Sequence, residues 1–428
     1  MYHDPQLAPE VAKAAADPRP ASAVSAGAGL AGLAGVVAWV AVARWWRMDG
    51  PYAALINLAA CGVPMVIWSL LVDKVHRRAS TGIDWTQRRP WRATLDVSLV
   101  KLAGLFATWA AVALVYATGR FYWQGNFAFA MWCFTRAAPL LLVAAVPYVV
   151  WLDRYLVEPK DGAWHFGAWL CGQPGVDAPA VAAHVRSWAV KGFFLAFMLA
   201  IVPPGFGDFI RRDVTGIWRD PVALTGWLVT FMFVVDVAFA TVGYMLTLRP
   251  LDSHIRSANP FAAGWTAALI CYPPFILMGD GGPLDYHPGT SDWVHWLSDH
   301  PILWWPCGAL LVALTAVYAA ATVAFGPRFS NLTHRGIITH GPYAWTKHPA
   351  YLSKNLFWWV STLPFLTLGT WVDAARATLI LGAVSGVYYW RARTEEQHLG
   401  LDPDYRAYAE WTDRRAPVPR FLRWLRGG

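Results

Sequence analysis

Two short polar stretches hold the residues best suited to chemistry: HGPYAWTKHPAY at 340–351 and RARTEEQHL at 391–399. Continued as a helix from Tyr389, the second places Arg391 and Glu395 at i,i+4 and Arg393 and Glu396 at i,i+3, so that two ion pairs can form along one helix end. A snorkelling, salt-bridged end is the ordinary reading of such a run. Two adjacent carboxylates on a turn close to a membrane, where hydration is reduced, argue for more. In the first stretch a Gly-Pro turn precedes His348-Pro349, and Pro349 suits the first turn of a helix. Tyr351 and Asn355 then share a face one turn apart, with Lys347 and Lys354 nearby. Taken alone, this stretch is also what an interfacial loop with Tyr and Trp anchors looks like.

Other chemistry-bearing groups are weaker. Asp280, Asp285, His287, Asp292, His295 and His300 offer ligands for a hard or borderline metal, but their irregular spacing fits a hydrated acidic loop better, and no metal is expected. Asp236 lies inside an apolar segment, where a carboxylate either hydrogen-bonds within the bundle or faces a substrate. The five cysteines are far apart, with no CxxC spacing, which supports neither disulfides nor a thiolate zinc site. GAGLAG at 27–32 follows no strand and lies in an apolar run, so it is not a dinucleotide loop.

The elements that must position these groups are membrane helices. Of 428 residues 56% are hydrophobic and only 14% charged, and the 27 tryptophans suit a chain with much surface at bilayer interfaces. Apolar segments long enough to cross a bilayer recur at 26–43, 52–72, 95–118, 127–151, 188–204, 223–248, 261–279, 301–325, 350–369 and 374–390. The expectation is an all-α, polytopic transmembrane bundle of about ten spans with a C-terminal amphipathic segment. The Asn259-Pro260 and Pro273-Pro274 breaks around span seven mark either a kinked packing helix, the commoner outcome, or a discontinuous helix lining a cavity. Residues 1–25, rich in Ala and Pro, read as a disordered tail, and 27–43 as an anchor rather than a cleaved signal. With the N-terminus inside, the inner segments carry 24 Lys and Arg and the outer loops 7, counting Arg376 at the edge of the last span, which puts both polar stretches on the cytoplasmic face. The formal charge of +8 is thereby explained by membrane orientation, and nucleic-acid binding has no further support.

HGPYAWTKHPAYLSKN, a hydrophobic hairpin, then RARTEEQHLGLDPDYRAYAEWTDRRAPVPRF resembles the isoprenylcysteine carboxyl methyltransferase group of membrane methyltransferases and, more distantly, the phospholipid N-methyltransferases. The residues that carry it are Gly341-Pro342-Tyr343, His348-Pro349-Ala350-Tyr351, Arg391 with Glu395-Glu396 and Leu399, Tyr405 and Tyr408, and Pro417 to Pro419. Two departures stand out. Lys347 replaces the family's arginine before His-Pro, keeping the charge without the bidentate fork, and Leu401-Asp402-Pro403 replaces a Phe-Gly.

The resemblance implies S-adenosyl-L-methionine (SAM) as cofactor, held by His340, Gly341, Tyr343, His348 and Tyr351, with Glu396 helping to close the pocket. The acceptor would be a lipophilic or lipid molecule entering from the bilayer. Arg391 or Arg393 would orient an anionic acceptor, whereas Glu395 would act as base toward an ammonium acceptor. Asp236 and Asn355 are the candidates for contact with the substrate. On this reading 301–428 is the methyltransferase domain, and the helices of 26–300 shape an acceptor tunnel or mediate assembly, as in a homo-oligomer. The Ala- and Trp-rich composition points to a bacterial inner membrane. Two rivals remain at this stage: an NADPH-dependent membrane ene or sterol reductase, and a non-catalytic transporter or scaffold.

Overall fold

The computed structural model describes residues 19–425 and 427. Most of the tail read as disordered therefore lies outside the described residues. The chain forms α1 (Ala26–Trp45), α2 (Pro51–Leu71), α3 (Trp91–Thr118), α4 (Phe127–Asp153), α5 (Gly162–Leu170), α6 (Ala178–Arg211) and α7 (Pro221–Met245). Strand β1 (Ser257–Ala258), α8 (Ala262–Leu269), α9 (Trp293–Trp296) and α10 (Trp304–Phe325) follow. After them come β2 (Thr333–His334), α11 (Pro349–Thr362), α12 (Trp371–Leu399), α13 (Pro403–Arg415) and α14 (Pro417–Leu425). Among the described residues seven helices are long and apolar enough to cross a membrane: α1, α2, α3, α4, α6, α7 and the helix around α10. The protein is thus an all-α, polytopic membrane protein.

The core lies where α1, α2, α6 and α7 meet around Val36, Met65, Phe206, Phe209 and Phe239. With lipid outside, close backbone approach rather than water exclusion holds such helices together. A Cβ on Gly35 would overlap the Ala60 carbonyl of α2, and one on Gly104 in α3 would overlap the Ala163 carbonyl of α5. In α3 a buried Lys101 completes the packing, with Nζ 2.5 Å from Asp153 and 3.2 Å from Asp161.

The connecting segments sort to two ends. At one end Ile83 bridges Leu156, Ser80 donates to Asp252, β1 pairs antiparallel with β2, and Lys347 reaches Asp413 of α13. At the other, Arg44 donates to the carbonyls of Phe209 and Arg212, and Arg211 pairs with Asp49 and Asp208. The first end gathers the segments with the excess of Lys and Arg, as the charge count requires.

The seventh apolar segment differs from a plain span. Only Ala262–Leu269 is helical, because Pro273 and Pro274 lack the amide hydrogens that the next turn requires. The chain then continues irregularly. Leu277 donates to Ile270, Leu284 donates to Leu277, Tyr286 packs on Leu381, Val384 and Tyr388, and Gly289 accepts from Leu368 in the loop between α11 and α12. This discontinuous segment runs from the ribbon end of the bundle to the opposite end. Cys271, Asp285 and Tyr286 along it are buried, whereas Pro274, Phe275 and Ile276 are exposed.

Candidate active site

The segment between α10 and α11 forms one wall of the site, and buried arginines hold it in shape. The Arg335 guanidinium donates to the carbonyls of Ser253 (2.7 Å), Gly243 (2.8 Å), Phe329 (2.9 Å), Pro327 (3.0 Å) and Leu246 (3.1 Å). Arg328 donates to Asp252 at 2.6 Å and to the Arg335 carbonyl at 2.7 Å. A second brace comes from the start of the described chain. Ala23 N donates to Ile337 O at 2.8 Å, Thr339 Oγ1 donates to Pro20 O at 3.0 Å, and Arg19 donates to Thr339 O at 3.1 Å. Residues 19–24 thus run beside 337–340.

Between this wall, α11, α12 and α13 lies a cavity of about 1250 Å³, its open mouth included. Tyr343, His348, Tyr351, Arg391 and Glu395 all line it, so the two polar stretches meet in one place. The predicted helix pairs form: Arg391 Nε lies 3.5 Å from Glu395, and Arg393 Nη1 lies 2.8 Å from Glu396. Across the gap, His348 Nε2 is 2.9 Å from Glu396 Oε1 and the Tyr351 hydroxyl donates to Glu395. Burial opposes ionisation of Glu396, yet the His348 hydrogen bond and the charges of Lys347 and Arg393 outweigh it and hold its pKa below the ordinary glutamate value.

The remaining sequence candidates sit around this centre rather than on its lining. Glu396 stands behind His348, and Arg393 is exposed, reaching only Glu396. His340 turns to the Val24 carbonyl, 3.0 Å from Nε2, and burial lowers its pKa. Gly341 has φ +59°, a left-handed turn that glycine adopts without strain and that starts the Gly341–Ala344 helical turn. Asn355 donates from Nδ2 to the Tyr351 carbonyl at 2.8 Å, inside its own helix. Asp236 lies beneath the cavity, where it accepts from Thr322 at 2.5 Å and from Tyr318 at 3.0 Å; both donors line the cavity.

Asn331, Tyr272, His334 and His398 line the cavity without a motif signal, beside the motif residues Arg391, Tyr405 and Tyr408. Asn331 accepts from Arg391 Nη2 at 2.6 Å, and Tyr272, from the discontinuous segment, lies 5.5 Å beneath the same guanidinium. His334 and His398 come from β2 and the last turn of α12, and burial lowers both pKa values, that of His398 to about 4. Tyr408 donates to the Tyr343 carbonyl at 2.8 Å and ties α13 to the wall. The Tyr405 hydroxyl, Arg391 Nε and His334 Nε2 are buried without a hydrogen-bond partner, an expensive condition for polar atoms facing a cavity. Asp402 is 3.4 Å from His334 Nε2, close enough for charge attraction only. Asp280, Asp285 and His287 do approach one another, but His287 Nδ1 lies 2.9 Å from Asp285, which also accepts from the Gly281 and His287 amides.

A helix hairpin entered through a His-Pro turn and left through an Arg-x-x-x-Glu-Glu turn thus lies inside a polytopic membrane bundle. Residues 307–400 match the isoprenylcysteine carboxyl methyltransferase (ICMT) family. The match spans α10, α11 and α12 and both polar stretches. No curated protein and no solved structure is similar to the chain.

Proposed function

We propose that the protein is an integral membrane, SAM-dependent methyltransferase acting on a lipophilic acceptor. What carries this reading is the cavity in which Tyr351–Glu395 and His348–Glu396 join the start of α11 to the end of α12, with buried unsatisfied polar atoms facing inward. SAM fits that donor set. A sulfonium is favoured by aromatic faces and carboxylates, and the polar ends of adenosine and methionine need donors and acceptors such as Tyr405, His334 and Asn331.

Tyr343, His348 and Tyr351 would hold the cofactor, and Glu396 would keep His348 in place. When bound, SAM supplies an electrophilic methyl group. Acceleration comes chiefly from orientation in a dry site, which the aromatic walls of Tyr272, Tyr318 and Tyr388 provide. A carboxylate acceptor needs no base and would be oriented by Arg391. An ammonium acceptor must first lose a proton, for which Glu395 is the base. The site faces the side with the excess of Lys and Arg, consistent with a cytoplasmic face of a bacterial inner membrane.

The test is binding and transfer. Purified protein in lipid is expected to bind SAM and to gain thermal stability from SAM but not from NADPH. Absence of SAM binding, or binding unchanged by His348→Ala and Glu396→Ala, refutes the proposal.

A further inference from the structure

The bundle holds a second cavity, apart from the first. It lies between α2, α6 and α7, has a volume of about 370 Å³ with its open side included, and is lined by Asn57, Gly205, Phe206, Thr230, Phe233 and Val234 among others. Asn57 stands six residues into α2 from Pro51, about 9 Å along the axis from the end where Arg211 meets Asp49. The candidate active site belongs to the opposite end, where Lys347 reaches Asp413. Pro203 and Pro204 take two amide donors out of α6 just before Gly205, and a Cβ on Gly205 would meet nothing within 4 Å. Gly205 and Phe233 are exposed on the outside of the bundle, so the cavity opens toward lipid. No charged side chain lines it. Asp236, the one acid within α7, turns instead to Thr322 and Tyr318 of α10.

Asn57 is at odds with these surroundings. It is 1% exposed, and its Oδ1 is buried with no hydrogen-bond partner among the described residues. An unpaired amide oxygen at membrane depth is costly. Thr230 adds a second acceptor: its hydroxyl donates to the Gly226 carbonyl at 2.7 Å, which leaves the lone pairs of its oxygen to receive a donor. Both groups call for an incoming O–H or N–H, and in a lining without charge an ionised head would stay unpaired. We propose that this cavity is a binding site for a neutral, hydroxyl-headed amphiphile taken up from the surrounding bilayer. Its O–H donates to Asn57 Oδ1, and its apolar chain leaves past Gly205 and Phe233. The site stands independently of the methyltransferase reading, since it shares no lining residue with the first cavity.

The experiment uses full-length protein in phosphatidylcholine nanodiscs with two photoactivatable probes: hexadecanol carrying a diazirine on its chain, and the methyl ether of the same molecule, which keeps the shape and cannot donate. Labelled peptides are mapped by mass spectrometry. The alcohol is expected to label the stretches of α6 and α7 around Gly205 and Phe233 about fivefold more than the ether, as one hydrogen bond to a buried acceptor allows, and unlabelled hexadecanol to compete. Asn57→Leu replaces the unpaired amide by an apolar group of similar size; it is expected to abolish the excess and to melt no lower than the wild type. Gly205→Leu fills the cavity with Asn57 still in place and is expected to abolish the excess as well. Equal labelling by alcohol and ether in the wild type overturns the proposal without recourse to any variant, and so does an excess that survives either substitution. A clear fall in melting temperature for Asn57→Leu also overturns it, because the amide would then be serving the packing of the bundle itself.

Discussion

His348 Nε2 lies 2.9 Å from Glu396 Oε1, joining the residue that precedes α11 to the last turn of α12. Because Lys347 and Arg393 share that carboxylate, Glu396 is the hub of a small charged clasp. Charge-assisted hydrogen bonds of this kind are worth roughly 1.5–3 kcal/mol, so Glu396→Ala is expected to weaken SAM binding about 10- to 100-fold. Arg393→Ala, which removes only an exposed arm, is expected to change it less than about threefold. Titration calorimetry with both variants checks the order.

Tyr405 offers a cleaner probe of the cavity. Its hydroxyl is buried without a partner, so Tyr405→Phe removes an unsatisfied group and is expected to leave the melting temperature of the protein without cofactor unchanged or slightly raised. If the hydroxyl bonds the cofactor, the same variant loses part of the stabilisation that SAM confers. A differential scanning measurement with and without SAM separates the two effects.

Acid should loosen the site by a defined route. Burial lowers His398 from the ordinary histidine value of 6.5 to about 4, so the folded state prefers the neutral ring. That preference contributes its full stability above pH 6.5 and loses it as the pH falls toward 4, by on the order of 3 kcal/mol. Its neighbour His334 is shifted in the same direction. The melting temperature is expected to drop between pH 7 and 5, and His398→Asn to flatten that slope. An equally steep profile in the variant excludes His398 as the source.

Arg335 is predicted to matter more for folding than for chemistry. Its guanidinium satisfies carbonyls from α7, the segment after it and the wall of the cavity, a geometry that an ammonium cannot reproduce. Arg335→Lys is expected to cost about 3 kcal/mol or more and to reduce the yield of folded protein. Fluorescence-detected size exclusion of the detergent-extracted protein reads this directly.

The local half of the site was legible in the sequence because helical periodicity decides it. Arg391 and Glu395, or Arg393 and Glu396, must meet once the segment is helical, and Pro349 does begin α11. What stayed hidden depends on chain paths without periodicity. Tyr272 reaches Arg391 because α8 stops at Leu269 and the backbone turns irregular, and Asn331 reaches it because Arg335 folds its loop. His340 faces Val24 rather than the cavity because residues 19–24, too polar and too rich in Pro and Ala to announce an element, pack beside 337–340. The side-sorting of the loops was readable from Lys and Arg alone, whereas the discontinuous crossing stood only as the less common of two readings of the Pro breaks, since apolar length looks the same in a helix and in an irregular segment.

The seam between residues 19–24 and 337–340 joins positions 314 to 320 apart in sequence. During synthesis the first partner is made more than 300 residues before the second. The C-terminal third therefore arrives at a surface that already exists, and the wall of the cavity closes only when residues 19–24 can receive it. A bulky fusion placed just before Arg19 would sit at that closing edge, so purification handles belong at the opposite terminus.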